Sequence, residues 1–398
     1  MGSEMCIRDR GKLYATLNGV EASKKSHVKI VAVPTLLKTS NGKKSDLSLL
    51  ISAIETIAHG LKVGDLVIIE SSVPPGTTEG IVREVLEGIS NLKVEVDFGL
   101  AYSPERVMEG RALQDIVENY PKIVSGFGVK SLRAVKSLYE VVAKKGVIAL
   151  SSPRAAELEK LVEGIYRDVN IALANEIARL CRVLQVDFEE VRVAANSQPF
   201  SHLHKPGTGV GGPCIPVYPY FLMEVAEKYN LNLELVKSSR LKNESMPKEV
   251  VSIALEALSL HLERVEGVKV AVLGLAFRGD IGDSRLSPTY DVIEELIRRG
   301  FRNIIVHDPY INRDEKLLKY NVKLVNNLKE ALKGASLVII STEHTPYKNL
   351  TLKEIKTMSE NDKLVVVDGR HVIREYKSPP AGVAYVGIGR PLTIGNNK

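Results

Sequence analysis

The chain has 398 residues, of which 44% are hydrophobic and 26% charged, and its formal net charge is +6. That length suffices for two or three domains with cores of their own. No run of 18 or more apolar residues offers a bilayer-spanning helix, and Lys and Arg are spread among acids without a basic tract, so nucleic acid is not indicated as a partner.

The first ten residues, MGSEMCIRDR, show no periodicity and resemble translated adapter sequence. They are set aside as a scar, with the expectation that a natural amino-terminal part is missing. VKIVAVPT (28–35) then reads as a buried strand. In DLSLLISAIETIAHGL, Asp46 is placed to cap a helix whose apolar residues recur at threes and fours. DLVIIESS (65–72) is another strand, and PPGTTEGIVREVLEG turns into a helix. VDFGLAYSPER and YPKIVSGFG continue the alternation, and GVIALSS closes it near residue 152. Strand and helix alternating at this pitch predict a parallel sheet with helices on both faces.

From Pro153 to about Leu184 a single helical pattern runs, with an apolar stripe of Leu158, Leu161, Ile165, Val169, Ala172, Leu173, Ile177 and Leu180. Some thirty helical residues span about 45 Å. That exceeds the needs of a small domain, so the helix is expected to join domains or to pack on a second subunit. Residues 217–262 are again helical, and VKVAVLGLAFRGDIGDSRLSP opens a new strand–loop–helix unit. NIIVHDP, ASLVIIST and KLVVVDGR supply its later strands. The expected fold is therefore α/β, with two doubly wound domains joined by a helical connector. The divisions are 11–152, 153–262 and 263–398. Open α/β sheets bind ligands at the carboxyl ends of their strands, so both domains are expected to turn a ligand site toward the cleft between them.

Cys6, Cys181 and Cys214 provide no disulfide framework, and no Cys/His cluster has metal spacing. With no secretory signal in view, a reducing cytoplasm is the expected compartment. Scattered arginines on a mildly basic surface suit a phosphorylated metabolite. Cys181 falls on the apolar side of the long helix and reads as core. Cys214 is different: it stands among glycines and prolines in PGTGVGGPCIPVYP (206–219). Either it is an inert loop cysteine, or a substrate must come close to its sulfur.

Six stretches in order carry a family resemblance: ESSVPPGTT (70–78), SPERVMEG (103–110), AELEKLVEGIYRDVNIALANE (156–176), PGTGVGGPCIP (206–216), GLAFRGDIGDSRLSPTYD (274–291) and VVVDGR (365–370). Together they resemble the nucleotide-sugar dehydrogenases, the UDP-glucose/GDP-mannose dehydrogenase family, over nearly everything after residue 11. The resemblance implies oxidation of a sugar C6 alcohol to a carboxylate, with NAD taking two hydrides. SPERV is similar to the branch acting on UDP-N-acetylhexosamines. UDP-N-acetyl-D-mannosamine is the first expectation, and UDP-N-acetylglucosamine, UDP-glucose or a non-catalytic UDP-sugar-binding role are the alternatives.

By the same resemblance Cys214 is the nucleophile, forming a thiohemiacetal and then a thioester. The glycines of its loop, Gly207 and Gly211 among them, let the backbone approach the hexose. Lys160 is the cation that stabilises developing oxyanions. Glu105 and Glu109 face the site, one orienting the hydrolytic water, although a pair of solvated acids is the alternative. Arg106, Val107, Arg167, Phe277, Arg278 and Arg370 are expected on the UDP-sugar. Thr35, Ser72 and Arg285 are expected on NAD, and a local salt bridge from Arg285 to Asp280 or Asp283 is the competing reading. Family members resemble dimers built on the long helix.

The sequence departs from the family pattern in three places. No G-x-G-x-x-G precedes VKIVAVPT; GFGVKS (126–131) comes too late and reads as a turn. The first βαβ unit therefore reads as missing, which predicts poor NAD binding by this chain. Gly164 stands where the family often has asparagine, four residues after the lysine. Tyr218 stands where an aspartate commonly follows the cysteine, and tyrosine is a weak base near neutral pH.

Overall fold

The computed structural model describes residues 11–38, 43–262 and 267–396. The set-aside segment with Cys6 lies outside the described residues. The chain divides into two compact units, Met1–Val162 with Tyr220–Leu231, and Glu163–Pro219 with Asn232–Lys398.

In the first unit, β1 (Val28–Val31), β4 (Leu66–Ile69), β5 (Gly99–Tyr102), β6 (Lys122–Gly126) and β7 (Val147–Ala149) form one sheet in the order β1-β4-β5-β6-β7. A short hairpin of β2 (Leu36–Lys38) and β3 (Lys44–Asp46) stands apart from it. The sheet is parallel except between β5 and β6. The expectation of a wholly parallel sheet fails there because residues 103–121 contain only short helical turns. A parallel return needs a longer crossover, usually a full helix.

Strand β1 also differs from its reading as a fully buried run. Lys29 and Val31 are covered, whereas Val28 and Ile30 are exposed. Among the described residues β1 pairs only with β4, and the buried Lys29 ammonium is held by the Asp65 carboxylate. Helix α1 (Ser48–Ala58) buries Leu50, Ile54 and Ala58. Asp46 does accept the Ser48 N–H, at 3.1 Å, but from one residue before the helix cap, Leu47. Helices α2 (Arg83–Ser90) and α3 (Val129–Glu140) also belong to this unit.

Helix α4 (Pro153–Val183) begins in the first unit and ends in the second. The single stripe read from its sequence resolves into two faces. Leu161, Ile165, Ala172, Ala178 and Cys181 are buried, while Leu158, Val162, Tyr166, Leu173 and Leu180 are exposed. Burial pushes the Cys181 thiol up, as fits a core residue. The helical stretch expected over 217–262 is broken into α5 (Tyr218–Glu227) and α6 (Glu234–His261). Asn230 between them takes a left-handed φ of 55°, a common way to end a helix.

The second unit holds a seven-stranded sheet in the order β10-β9-β8-β11-β12-β13-β14. Its strands are β8 (Lys269–Leu273), β9 (Asn303–His307), β10 (Lys323–Val325), β11 (Leu337–Ile340), β12 (Leu364–Asp368), β13 (Val383–Gly387) and β14 (Arg390–Ile394). All neighbours are parallel except β13 and β14. Alternate side chains of β8 serve opposite faces, as the period of two requires. Val270 and Val272 pack with Val250, Ala254 and Leu258 of α6, and Ala271 and Leu273 pack with Leu352 and Ile355. Helix α7 (Pro288–Arg298) follows the loop after β8. Among the described residues no helix is long and apolar enough to cross a membrane.

Candidate active site

In the first unit the expected residues gather after the carboxyl ends of β1, β4 and β5. Thr35 Oγ1 donates to the Ser72 carbonyl at 2.6 Å, tying the segment after β1 to that after β4. Beyond β5, Lys160 of α4 donates through Nζ to the backbone carbonyl of Glu105. The Glu105 carboxylate accepts the Val107 N–H at 2.7 Å and lies 3.8 Å from Lys122 Nζ. Lys122 is 7% exposed and pairs with Glu70 at 3.1 Å. The Tyr139 hydroxyl also donates to Glu70, and burial beside that carboxylate raises the phenol strongly. Arg106 donates to the Pro121 carbonyl and approaches Glu159 at 3.6 Å. Glu109 is exposed.

One further glutamate orders this corner. Glu157, fully buried in the second turn of α4, accepts the N–H groups of Gly76 and Thr78. Burial pushes its carboxyl up against the pull of those donors. It anchors the helix one turn before Lys160. In the same way Glu95 accepts the N–H groups of Lys130 and Ser131 where α3 begins, so GFGVKS, expected as a turn, instead runs from the end of β6 through a bend at Phe127 and Gly128 into the helix.

These residues fit NAD in part. The hydroxyl-bearing Thr35 and Ser72 meet at strand ends and are suited to polar contacts with it, but no G-x-G-x-x-G turn stands among the described residues to cradle a pyrophosphate. Among them there is also no cluster of His, Cys, Asp or Glu suited to a metal ion.

In the second unit the loop 206–217 carries an exposed Cys214. The Gly207 N–H donates to Asn175 Oδ1 at 2.8 Å, and Asn175 Nδ2 donates to Asn243 Oδ1 at 2.9 Å. Asn243 in turn donates to Asp168, which also accepts from Arg240 at 2.8 Å. All four side chains are buried. The close approach allowed by the loop glycines is to this chain itself. A Cβ at Gly207 would come within 2.5 Å of Arg370 Nη1, and one at Gly211 within 2.6 Å of the Leu286 carbonyl. At Gly212 it would meet the Phe277 ring at 2.8 Å.

Several expected ligand contacts are thus engaged within the unit. Arg370 donates to the carbonyls of Ser341 at 2.9 Å and Gly209 at 3.3 Å. Phe277 packs on the cysteine loop, and Arg278 beside it is half-buried. Arg285 forms a two-pronged salt bridge with Asp283, the competing reading made of it. Arg167 donates to the Glu163 carbonyl one turn back.

The loop 274–280 rests on a group that sequence reading missed. The Asp308 carboxylate accepts the N–H groups of Leu275, Ala276, Tyr310 and Ile311 and faces His344 Nε2 at 3.1 Å. His344 Nδ1 accepts the Asp280 N–H, so the ring proton sits on Nε2 and is donated to Asp308. Burial works to raise the Asp308 carboxyl, but His344 and the amides outweigh it and hold it below the ordinary range. Gly274 at the start of the loop has φ +96° and lies against Thr342, where no side chain fits. Asp168 and Asn175 left a signal that could have been followed: two polar residues seven apart on a helix face otherwise apolar at 165 and 172.

Three domain descriptions of the UDP-glucose/GDP-mannose dehydrogenase family match the chain: the NAD binding domain over residues 4–143, the central domain over 154–245 and the UDP binding domain over 271–375. The first match begins inside the ten residues set aside as a scar. The UDP-N-acetyl-D-mannosamine dehydrogenase of Pyrococcus horikoshii is 38% identical over 381 residues, 96% of this chain and 85% of that one. The protein of the same name from Methanocaldococcus jannaschii is 36% identical over 88% of this chain and 76% of its own length. A solved structure of a UDP-D-ManNAc dehydrogenase from P. horikoshii matches with a TM-score of 0.86 at 36% identity, covering 96% of this chain and 86% of that one.

Proposed function

This chain belongs to the UDP-glucose/GDP-mannose dehydrogenase family of NAD-dependent nucleotide-sugar dehydrogenases, and on that premise we propose that it oxidises C6 of UDP-N-acetyl-D-mannosamine to the uronate through a thioester on Cys214. What carries the mechanistic reading is Cys214 itself, exposed at the tip of a loop whose other end is fixed by a buried polar network. The substrate reading rests on the relatives named above.

Two hydrides leave C6 in the whole reaction, and NAD, when bound, takes up each. The Cys214 sulfur bonds to C6 of the intermediate aldehyde, and the new hydroxyl on that carbon takes a proton. Loss of the second hydride from C6, with loss of the hydroxyl proton, leaves a thioester. Water then adds at the same carbon, the carbon–sulfur bond breaks, and the carboxylate and free thiol are released. Lys160 supplies positive charge to the oxyanions formed on the way. Glu105, held by Lys122 and the Val107 amide, orients the water, with Glu109 as the second acid. Arg106, Val107, Arg167, Gly207, Gly211, Phe277 and Arg278 serve the UDP-sugar, and Arg370 holds the loop that presents the thiol. Thr35, Ser72 and Arg285 serve NAD; Arg285 must first leave Asp283.

We also propose a homodimer, supported by the exposed apolar residues along α4. The deciding assay measures NADH formed with UDP-N-acetyl-D-mannosamine, UDP-N-acetylglucosamine and UDP-glucose in parallel. Acid production is expected with the first and is lost in Cys214→Ser while UDP-sugar binding survives. Preferential oxidation of another sugar overturns the substrate, and undiminished acid from Cys214→Ser overturns the thioester.

A further inference from the structure

Gly164 lies in the buried middle of α4, and Tyr218 is the first residue of α5, four residues after Cys214. A Cβ built on Gly164 would stand 2.4 Å from Cδ2 and 3.0 Å from Cε2 of Tyr218. That ring is 3% exposed and is not the loose end of a flexible chain. Gly164 is therefore the seat of the Tyr218 ring, and the two unusual residues of the sequence form one contact.

The contact leads directly to the thiol. The Cys214 carbonyl accepts the N–H groups of Val217 at 3.0 Å and Tyr218 at 3.1 Å. The turn carrying Cys214 is thus hydrogen-bonded to the very residue whose ring sits on the helix. At its other end the loop is fixed through Gly207 and Asn175. Glycine inside a helix is otherwise a poor choice, since alanine is the better helix former. Here the absent side chain is what lets one edge of the ring come up against the backbone.

We infer that Tyr218 is a positioning residue for Cys214, acting through its ring on Gly164, and that the size of residue 164 sets where the thiol is presented. The inference concerns the placement of the sulfur. Only its effect on turnover rests on the proposed thioester chemistry.

The test is a double-substitution cycle read by iodoacetamide labelling of the Cys214 peptide, quantified by mass spectrometry, with turnover measured alongside. Gly164→Ala is expected to change the labelling rate severalfold and to lower turnover by about tenfold to a hundredfold, the scale of an ångström-sized displacement. Tyr218→Phe, which keeps the ring, should label at the wild-type rate. In a Tyr218→Ala background, adding Gly164→Ala should change nothing further, because the ring that transmits the clash is gone. The inference is overturned by wild-type labelling in Gly164→Ala, or by an undiminished effect of that substitution without the ring. If Gly164→Ala does not fold, Tyr218→Phe against Tyr218→Ala decides: equal labelling in the two removes the ring from the argument. Altered labelling with unchanged turnover would leave this inference standing and count against Cys214 as the nucleophile.

Discussion

Asn175 is held between two partners, accepting the Gly207 N–H at 2.8 Å while donating to Asn243 Oδ1 at 2.9 Å. Through this amide the entry to the cysteine loop hangs on the long helix. Asn175→Leu strands a buried donor and a buried acceptor, each costing about 1–3 kcal/mol. The expected result is a lower denaturation midpoint in urea together with a fall in turnover. Unchanged stability would show that the loop is held by other contacts.

Arg240 and Asp168 form an ion pair with both side chains almost fully buried. Removing one partner leaves the other charged in the interior, so Arg240→Met should cost about 3–5 kcal/mol. Adding Asp168→Asn should return part of that loss, since the amide carries no charge. Equilibrium unfolding of the two variants checks this, and a double variant less stable than Arg240→Met contradicts it.

Glu295 is buried beside the more exposed Arg298 and Arg299. Hydrogen bonding from Arg298, against burial and with help from Arg299, holds its carboxyl down to about 2, below an ordinary value of 4.5. A carboxyl depressed in the folded state contributes stability above its unfolded pKa and loses it as pH falls toward the folded one. Glu295→Gln should therefore melt below wild type at pH 7, with the gap closing as pH falls from 4.5 toward 2. Calorimetry across that range reads the gap, and a constant one removes the linkage.

Leu158, Val162, Tyr166, Leu173 and Leu180 recur along one exposed side of α4. If a second copy of this chain covers them, Leu173→Asp places a charge in an apolar interface. The expected outcome is a slower-sedimenting species with each unit still folded. An unchanged sedimentation profile argues against that surface as the contact.

Helix α4 was legible because its apolar spacing persists for about six turns, and the later strands NIIVHDP and ASLVIIST because they are short, dense runs. The outer strands β10 and β14, and β13 beside the latter, were not. The first has three residues, and the others lie in GVAYVGIGRPLTI, where glycines break the pattern. The ordered motifs pointed to Cys214, Lys160 and Glu105. What they could not reveal was how those residues are held. Asp308 and His344 grip a loop more than thirty residues upstream, and Gly164 and Tyr218 looked like separate oddities. Contacts of that kind depend on how the chain returns on itself, which local periodicity does not record. The two-faced exposure on α4 escaped for the related reason that an apolar residue signals its face only once its neighbours are known.

Two glutamates of the first unit, one receiving amides at the helical turn Thr78–Val82 and one at the start of α3, have a cost for the cofactor. Backbone amides at such places commonly receive phosphate, yet Glu157 already takes those of Gly76 and Thr78, and Glu95 those of Lys130 and Ser131. A dinucleotide arriving at either would have to evict an internal anion from its socket. Its two phosphates therefore need donors other than these four amides.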